Sequence, residues 1–168
     1  MSADELLAQA RAVFGERIVD AHRHCGDATI VIGRDAAPEV FQTLRDAPEF
    51  SFAVLVDVTA VDYLGQTPRF EVVYHLYSLT HNHRLRVKIR VPEDEPWVHS
   101  LTRLWHAANW LERECWDMFG IRFVGHPDPR RILMYEEFVG HPLRKDYPVD
   151  KRQPLTEERD PIAVGWRV

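Results

Sequence analysis

Residues 70–79 and 84–91 flank the turn Thr80-His81-Asn82-His83, and this arrangement limits the fold more sharply than anything else in the chain. In the second arm Leu85, Val87, Ile89 and Val91 alternate with Arg84, Arg86, Lys88 and Arg90. A period of two, with one apolar and one basic side, predicts an antiparallel pair buried on one face and wet on the other. The basic row could meet an acidic partner, but a solvated sheet face is the favoured reading. Upstream, residues 52–61 are apolar on both faces (Phe52, Val54, Val56 and Val58 against Ala53 and Leu55), the pattern of a central strand.

The remaining elements follow from the same reasoning. Leu6, Leu7, Ala10, Val13 and Phe14 lie at helical spacing over residues 4–14, and Gly15 stops the helix. Residues 18–22 and 29–32 read as short strands around Cys25-Gly26-Asp27. Asp35 can cap a second helix with Pro38 in its first turn, Val40, Phe41 and Leu44 as its buried stripe, and Pro48 at its end. After Pro92 and Pro96, Ser100 is placed to cap a third helix running to about Phe119, before Gly120. A short element is expected over 132–138, and from Arg144 onward the chain is charged and aperiodic. The predicted architecture is a single α+β domain, helices packed on a mainly antiparallel sheet, with a core over 1–138 and an extended C-terminal segment over 139–168.

Bulk properties narrow the function. A chain of 168 residues suits one domain burying roughly 70% of its unfolded surface. A net charge of −5 argues against a nucleic-acid binder, which normally carries a basic excess. No apolar run approaches the ~20 residues that span a bilayer, and Met1-Ser2-Ala3-Asp4-Glu5 lacks the basic and apolar regions of a signal peptide. Membrane association is therefore expected only through partners. Two cysteines, Cys25 in a polar turn and Cys115 on an apolar helix face, cannot supply a four-thiolate cluster and are a poor disulfide pair. A reducing, cytoplasmic compartment fits.

The densest chemistry lies at 112–131 and 140–148. On the predicted third helix Leu101, Leu104, Trp105, Ala108, Leu111, Cys115, Trp116, Met118 and Phe119 share one arc. Glu112 falls inside that arc. A buried carboxylate costs several kcal/mol unless paired, and Arg130 and Arg131 are the nearest candidate partners; at the edge of the arc it would instead reach water. The other face carries Arg103, His106, Trp110, Arg113, Glu114 and Asp117. A Trp among arginines has the composition of a binding hot spot. Contact with a partner and cover by the chain's own tail are equal readings of Trp110.

The search for catalytic chemistry gives little. His22 with His24, and His81 with His83, lack a third ligand at familiar spacing, and there is no HExxH helix. There is no glycine-rich phosphate loop and no G-x-S-x-G elbow. Cys115 sits where a thiol is inert. His126-Pro127 and His141-Pro142 are read as turn-fixing pairs. No catalytic or metal-binding residue is assigned, and a stand-alone hydrolase using His22 and His24 is the remote alternative from another class.

These blocks nevertheless resemble a known family. The run Trp105-x-x-Ala108-Asn109-Trp110-x-Glu112-Arg113-Glu114-x-Trp116-Asp117-Met118-Phe119-Gly120-Ile121-x-Phe123 continues as Gly125-His126-Pro127-Asp128-x-Arg130-Arg131-Ile132-Leu133 and then Gly140-His141-Pro142-Leu143-Arg144-Lys145-Asp146-Tyr147-Pro148. It resembles the 30 kDa (C-type) subunit of respiratory complex I, the proton-pumping NADH:quinone oxidoreductase. Pro129 stands where the family more often has Leu, and Cys115 occupies a variable position. The resemblance implies a non-catalytic member of the peripheral arm on the cytoplasmic face of the bacterial inner membrane, packed on the large D-type subunit near the quinone site. It implies no cofactor on this chain, with FMN, iron–sulfur clusters and quinone on its neighbours. Trp110, Glu112, Arg113, Glu114, Asp117, His126, Arg130, Arg131, His141, Arg144, Lys145 and Asp146 are the expected interface and structural residues. Related membrane-bound hydrogenases and formate-oxidising complexes carry an equivalent subunit, so the electron donor stays open.

Overall fold

The computed structural model describes residues 2–153, and the final part of the predicted C-terminal segment, 154–168, lies outside the described residues. The first helix, α1 (Ala3–Phe14), opens with a capping box: the Ser2 hydroxyl accepts from the Glu5 N–H, and the Glu5 carboxylate accepts from the Ser2 N–H. Its buried stripe is Leu6, Leu7, Ala10 and Phe14, while Val13, expected among them, is exposed. Strands β1 (Ile18–His24) and β2 (Asp27–Ile32) pair antiparallel through the two-residue turn Cys25-Gly26, where both residues have positive φ (52° and 90°). Such a turn matches the twist of the flanking strands.

A 3₁₀ turn over Arg34–Ala36 leads into α2 (Ala37–Asp46). Asp35 does not cap this helix. It already lies inside the 3₁₀ turn, whereas a capping side chain needs an extended residue at the helix mouth, and the residue at that place is Ala36. Pro38 sits in the first turn as predicted, and Val40, Phe41 and Leu44 are fully buried.

Strands β3 (Val54–Asp62), β4 (Phe70–Ser78) and β5 (His83–Val91) form a meander, with β4 and β5 in register from Phe70 opposite Val91 to Ser78 opposite His83. The sheet order is β1-β2-β5-β4-β3, antiparallel throughout except for the parallel pair β2–β5. β3 is thus an edge strand, not a central one. Its apolar run suggested two buried faces because Phe52 is buried ahead of the strand, and a register shift between Leu55 and Asp57 turns Val56 outward.

Leu85, Val87, Ile89 and Val91 face a core shared with all the helices. On the opposite face Lys88 pairs with Glu71 at 2.8 Å, Arg90 lies 4.0 Å from Glu71 and Arg86 lies 3.9 Å from Asp27, so three of the four basic residues already have acidic neighbours.

Two three-residue strands, β6 (Trp97–His99) and β7 (Arg122–Val124), pair in parallel and bracket the third helix. That helix, α3 (Ala108–Phe119), begins seven positions later than predicted. Ser100 follows β6 directly and gives its N–H to the Val124 carbonyl, so residues 100–107 turn the chain before a helix can start. Residues 132–138 form no regular element. The described domain is α+β, with three α-helices on a mainly antiparallel five-stranded sheet.

Candidate functional site

α3 carries two buried carboxylates, and they are satisfied in different ways. Glu112 is 0% exposed. The Ser100 hydroxyl donates to it at 2.7 Å and the Leu101 N–H at 2.6 Å. Neither Arg130 nor Arg131 reaches it, which corrects the expected pairing. Burial pushes its carboxyl up to about 7, against the two hydrogen bonds that favour the anion. The Tyr74 phenol, also fully buried, has no hydrogen-bond partner among the described residues, and burial, with the Glu112 carboxylate nearby, raises it well above the ordinary tyrosine value.

Asp117, placed by the helical wheel on the outer face, is instead 0% exposed. One oxygen receives Arg131, and the other receives the N–H groups of Ile132, Leu133 and Met134 at 2.9–3.1 Å. Burial alone would raise this carboxyl, but the N–H groups of Met134 and Leu133, the Arg131 guanidinium and the Ile132 N–H outweigh it and hold it below the ordinary carboxylate value. Arg131 also donates to the carbonyls of Phe138 and Gly140, so one ion pair shapes the whole 131–140 loop.

The helix ends at Gly120 in the left-handed conformation (φ 76°). A Cβ there would lie 2.6 Å from Arg144 Nη2 and His141 Nε2. That close approach lets residues 141–147 lie across the helix end as a strap. His141 Nδ1 donates to the Asp117 carbonyl, the Leu143 N–H to Met118, and Arg144 Nε to Phe119 at 2.6 Å. Three carbonyls left without partners by the end of a helix are satisfied this way. Burial lowers the His141 imidazole, keeping it neutral.

The strap is fastened again at Arg69, a residue the sequence reading passed over. Arg69 is 2% exposed and donates through both arms of its fork to Asp62, at 2.9 and 2.8 Å. It also reaches Glu93 and Asp146, while the Lys145 N–H donates to Asp62 at 2.8 Å. Arg69 holds Asp62 below its usual range, with the Lys145 N–H assisting, and likewise Asp146. The available signal was an acid ending an apolar strand, since Asp62 closes the 52–62 run.

The other predicted residues gather on the outer side of α3. Arg113 donates to the carbonyls of Arg130 and Arg131 and lies 5.2 Å over the Trp110 ring. Trp110 is 62% exposed. His126 uses both ring nitrogens, Nε2 donating to the Asn109 carbonyl and Nδ1 accepting from the Asp128 N–H. Arg130 is exposed and forks onto Asp128. Glu114 is exposed and makes no hydrogen bond or ion pair among the described residues. His81 and His83 each put Nε2 on a backbone carbonyl, of Pro48 and Phe50, and His22 contacts Asp20. Cys25 is exposed and Cys115 buried, both free, with the Cys115 thiol donating to the Val58 carbonyl.

A comparison with known families places the chain. Residues 30–153 match the family described as the respiratory-chain NADH dehydrogenase 30 kDa subunit, and the chain belongs to that family. The C-type subunit of NADH-quinone oxidoreductase from Citrifermentans bemidjiense is 48% identical over 136 residues, 81% of this chain and 83% of the relative. Among solved structures, a trypsin-resistant fragment of Nqo5 superposes with a TM-score of 0.66 at 34% identity, covering 76% of this chain and 99% of the fragment. A chain of the membrane-bound sulfane sulfur reductase, an archaeal respiratory membrane complex, shares the fold with a TM-score of 0.72 at 22% identity, over 87% of this chain and 85% of that one.

Proposed function

We propose that this chain is a non-catalytic, cofactor-free structural member of the peripheral arm of a proton-translocating NADH:quinone oxidoreductase. It docks on the large D-type subunit near the quinone site, at the cytoplasmic face of a bacterial inner membrane. Electrons pass from NADH through FMN and iron–sulfur clusters to quinone on neighbouring subunits. Contact with the membrane is made through those partners; no helix among the described residues is long and apolar enough to cross one.

The supporting observation is how the motif spends its charges. Asp117, Arg131, His141, Arg144 and Asp146 bond to one another, to Arg69 or to backbone. Side chains consumed in this way hold a shape instead of exchanging protons with a substrate. The 131–140 loop and the strap that they fix turn Leu133, Tyr135, Val139 and Leu143 outward, and apolar groups of this kind are what an adjoining protein in a complex covers. Affinity purification of the tagged chain from native membranes, with identification of co-purifying subunits, tests the reading. Recovery of the chain alone would refute it.

A second reading rests on the fold shared with the archaeal complex: an equivalent subunit in a membrane-bound hydrogenase or formate-oxidising complex. Co-purified nickel with hydrogen-dependent activity would favour it.

A further inference from the structure

Three hollows of about 450, 430 and 730 Å³ adjoin around the end of β7 and share Gly125 as their common wall. The first two also share Val124, and the last two share Arg103, so they form one trough. Although the chain's net charge is −5, three arginines line the trough: Arg103, Arg113 and Arg122. Arg103 and Arg122 line it, are exposed, and have no carboxylate within ion-pair distance among the described residues. Elsewhere Arg17, Arg23, Arg34, Arg45 and Arg69 are paired with acids, while Arg84 and Arg144 lie over aromatic rings. The one acid lining the trough among the described residues is Glu112, whose two oxygens are already bonded to Ser100 and Leu101.

Trp110 forms part of the wall and is held in a set orientation. Arg113 lies over its ring, and Arg113 is itself anchored by the carbonyls of Arg130 and Arg131. A large exposed aromatic that has already lost its freedom loses little entropy on being covered. Glu114, on the same helix, and Asp128, paired with Arg130, are the nearby acids. The overall negative charge counts against a nucleic acid as occupant.

We infer that this trough receives an acidic segment of a neighbouring protein subunit, its carboxylates against Arg103 and Arg122 and an apolar side chain against Trp110. The inference rests on the reading of the chain as part of a larger complex, and it deepens that reading by assigning a surface and the chemistry that fills it.

The test uses the full chain, tagged, in its native membrane. The double variant Arg103→Lys with Arg122→Lys keeps both charges and supplies primary amines. A zero-length carbodiimide then joins those amines to any carboxylate in contact, and mass spectrometry locates the link. The expected result is a link to an Asp or Glu of a co-purified subunit. The charge reversal Arg103→Glu with Arg122→Glu should lower the yield of co-purified subunits about tenfold, with the melting temperature of the purified chain unchanged. Links confined to this chain's own Glu157, Glu158 or Asp160, or no link while the subunits still co-purify, would overturn the inference and leave the broader reading of the chain standing. If the unmodified chain brings down no other subunit, that broader reading falls and this one with it. Where cross-link and yield disagree, the cross-link decides.

Discussion

Replacing Glu112 with Gln should stabilise the protein at pH 8 and leave it nearly unchanged at pH 4. Glu112 is fully buried, faces a hydroxyl and an N–H, and has no ion-pair partner among the described residues. Its carboxyl is pushed from an ordinary 4.5 up to about 7. A group raised in the folded state binds more protons folded than unfolded. Stability is therefore full below pH 4.5 and declines as pH rises toward 7, after which it levels off. At about 1.4 kcal/mol for each tenfold change, the rise corresponds to roughly 3 kcal/mol. Gln keeps the side-chain shape and an oxygen for the Leu101 N–H, and it has no charge to desolvate. For a chain of this size roughly 3 kcal/mol is about 6–12 °C in melting temperature. The assay is a series of thermal melts of both proteins from pH 4 to pH 8, compared as a difference so that other titrating groups cancel. The gap should open in favour of Glu112→Gln between pH 4.5 and 7. Parallel curves would refute the reasoning. A variant less stable at pH 8 would go further and restore a buried cation opposite Glu112.

Asp117→Ala leaves Arg131 and three N–H groups without their acceptor and should cost about 3–5 kcal/mol, with trypsin cutting faster after Arg130 and Arg131 in limited digestion read by mass spectrometry. Asp62 and Asp117 are both held below the ordinary 3.8, so their stabilisation is present above that pH and lost as acid protonates them; Asp117→Asn should flatten the acid limb of a urea-midpoint profile. Arg69→Met abandons the buried Asp62 carboxylate and should also cost about 3–5 kcal/mol in chemical denaturation. Gly120→Ala forces a left-handed residue against the strap and should lose about 1–2 kcal/mol, with faster trypsin cleavage after Arg144 and Lys145. A thiol reagent should label Cys25 in the native protein and reach Cys115 only on unfolding, because burial raises the Cys115 thiol.

Where the chain alternates with a clean period, its structure was readable. The β4–β5 hairpin needs only the pattern Leu85, Val87, Ile89, Val91, and α1 needs only its apolar stripe. The strapped end of α3 was partly readable, because Gly120 and the crowd of charges after it mark a helix end that must be satisfied by something. What filled each role was not readable. Asp117 was put on the outer face because a helical wheel knows nothing of the loop that later folds over it. Arg69 binds residues 7, 24 and 77 positions away, and no local pattern records such distances. Glu112 was assigned to Arg130 or Arg131 by charge logic, yet a hydroxyl and an amide sufficed once Ser100 turned back from β6. β6 and β7 are too short for any period to declare itself.

The parallel seam between β2 and β5 bears on how the chain is made. β2 ends at Ile32 and its inner neighbour begins at His83, so the first hairpin is synthesised long before the strand that completes it. At about 5–20 residues per second the gap lasts several seconds. Through that interval Ile30 and Ile32 have α1 and α2 to pack against but no partner along one edge, a template open to any passing strand. The β3–β4–β5 meander, whose contacts are local, can pair before that seam closes. Slow closure of that seam makes the newborn chain most vulnerable to aggregation at its own beginning.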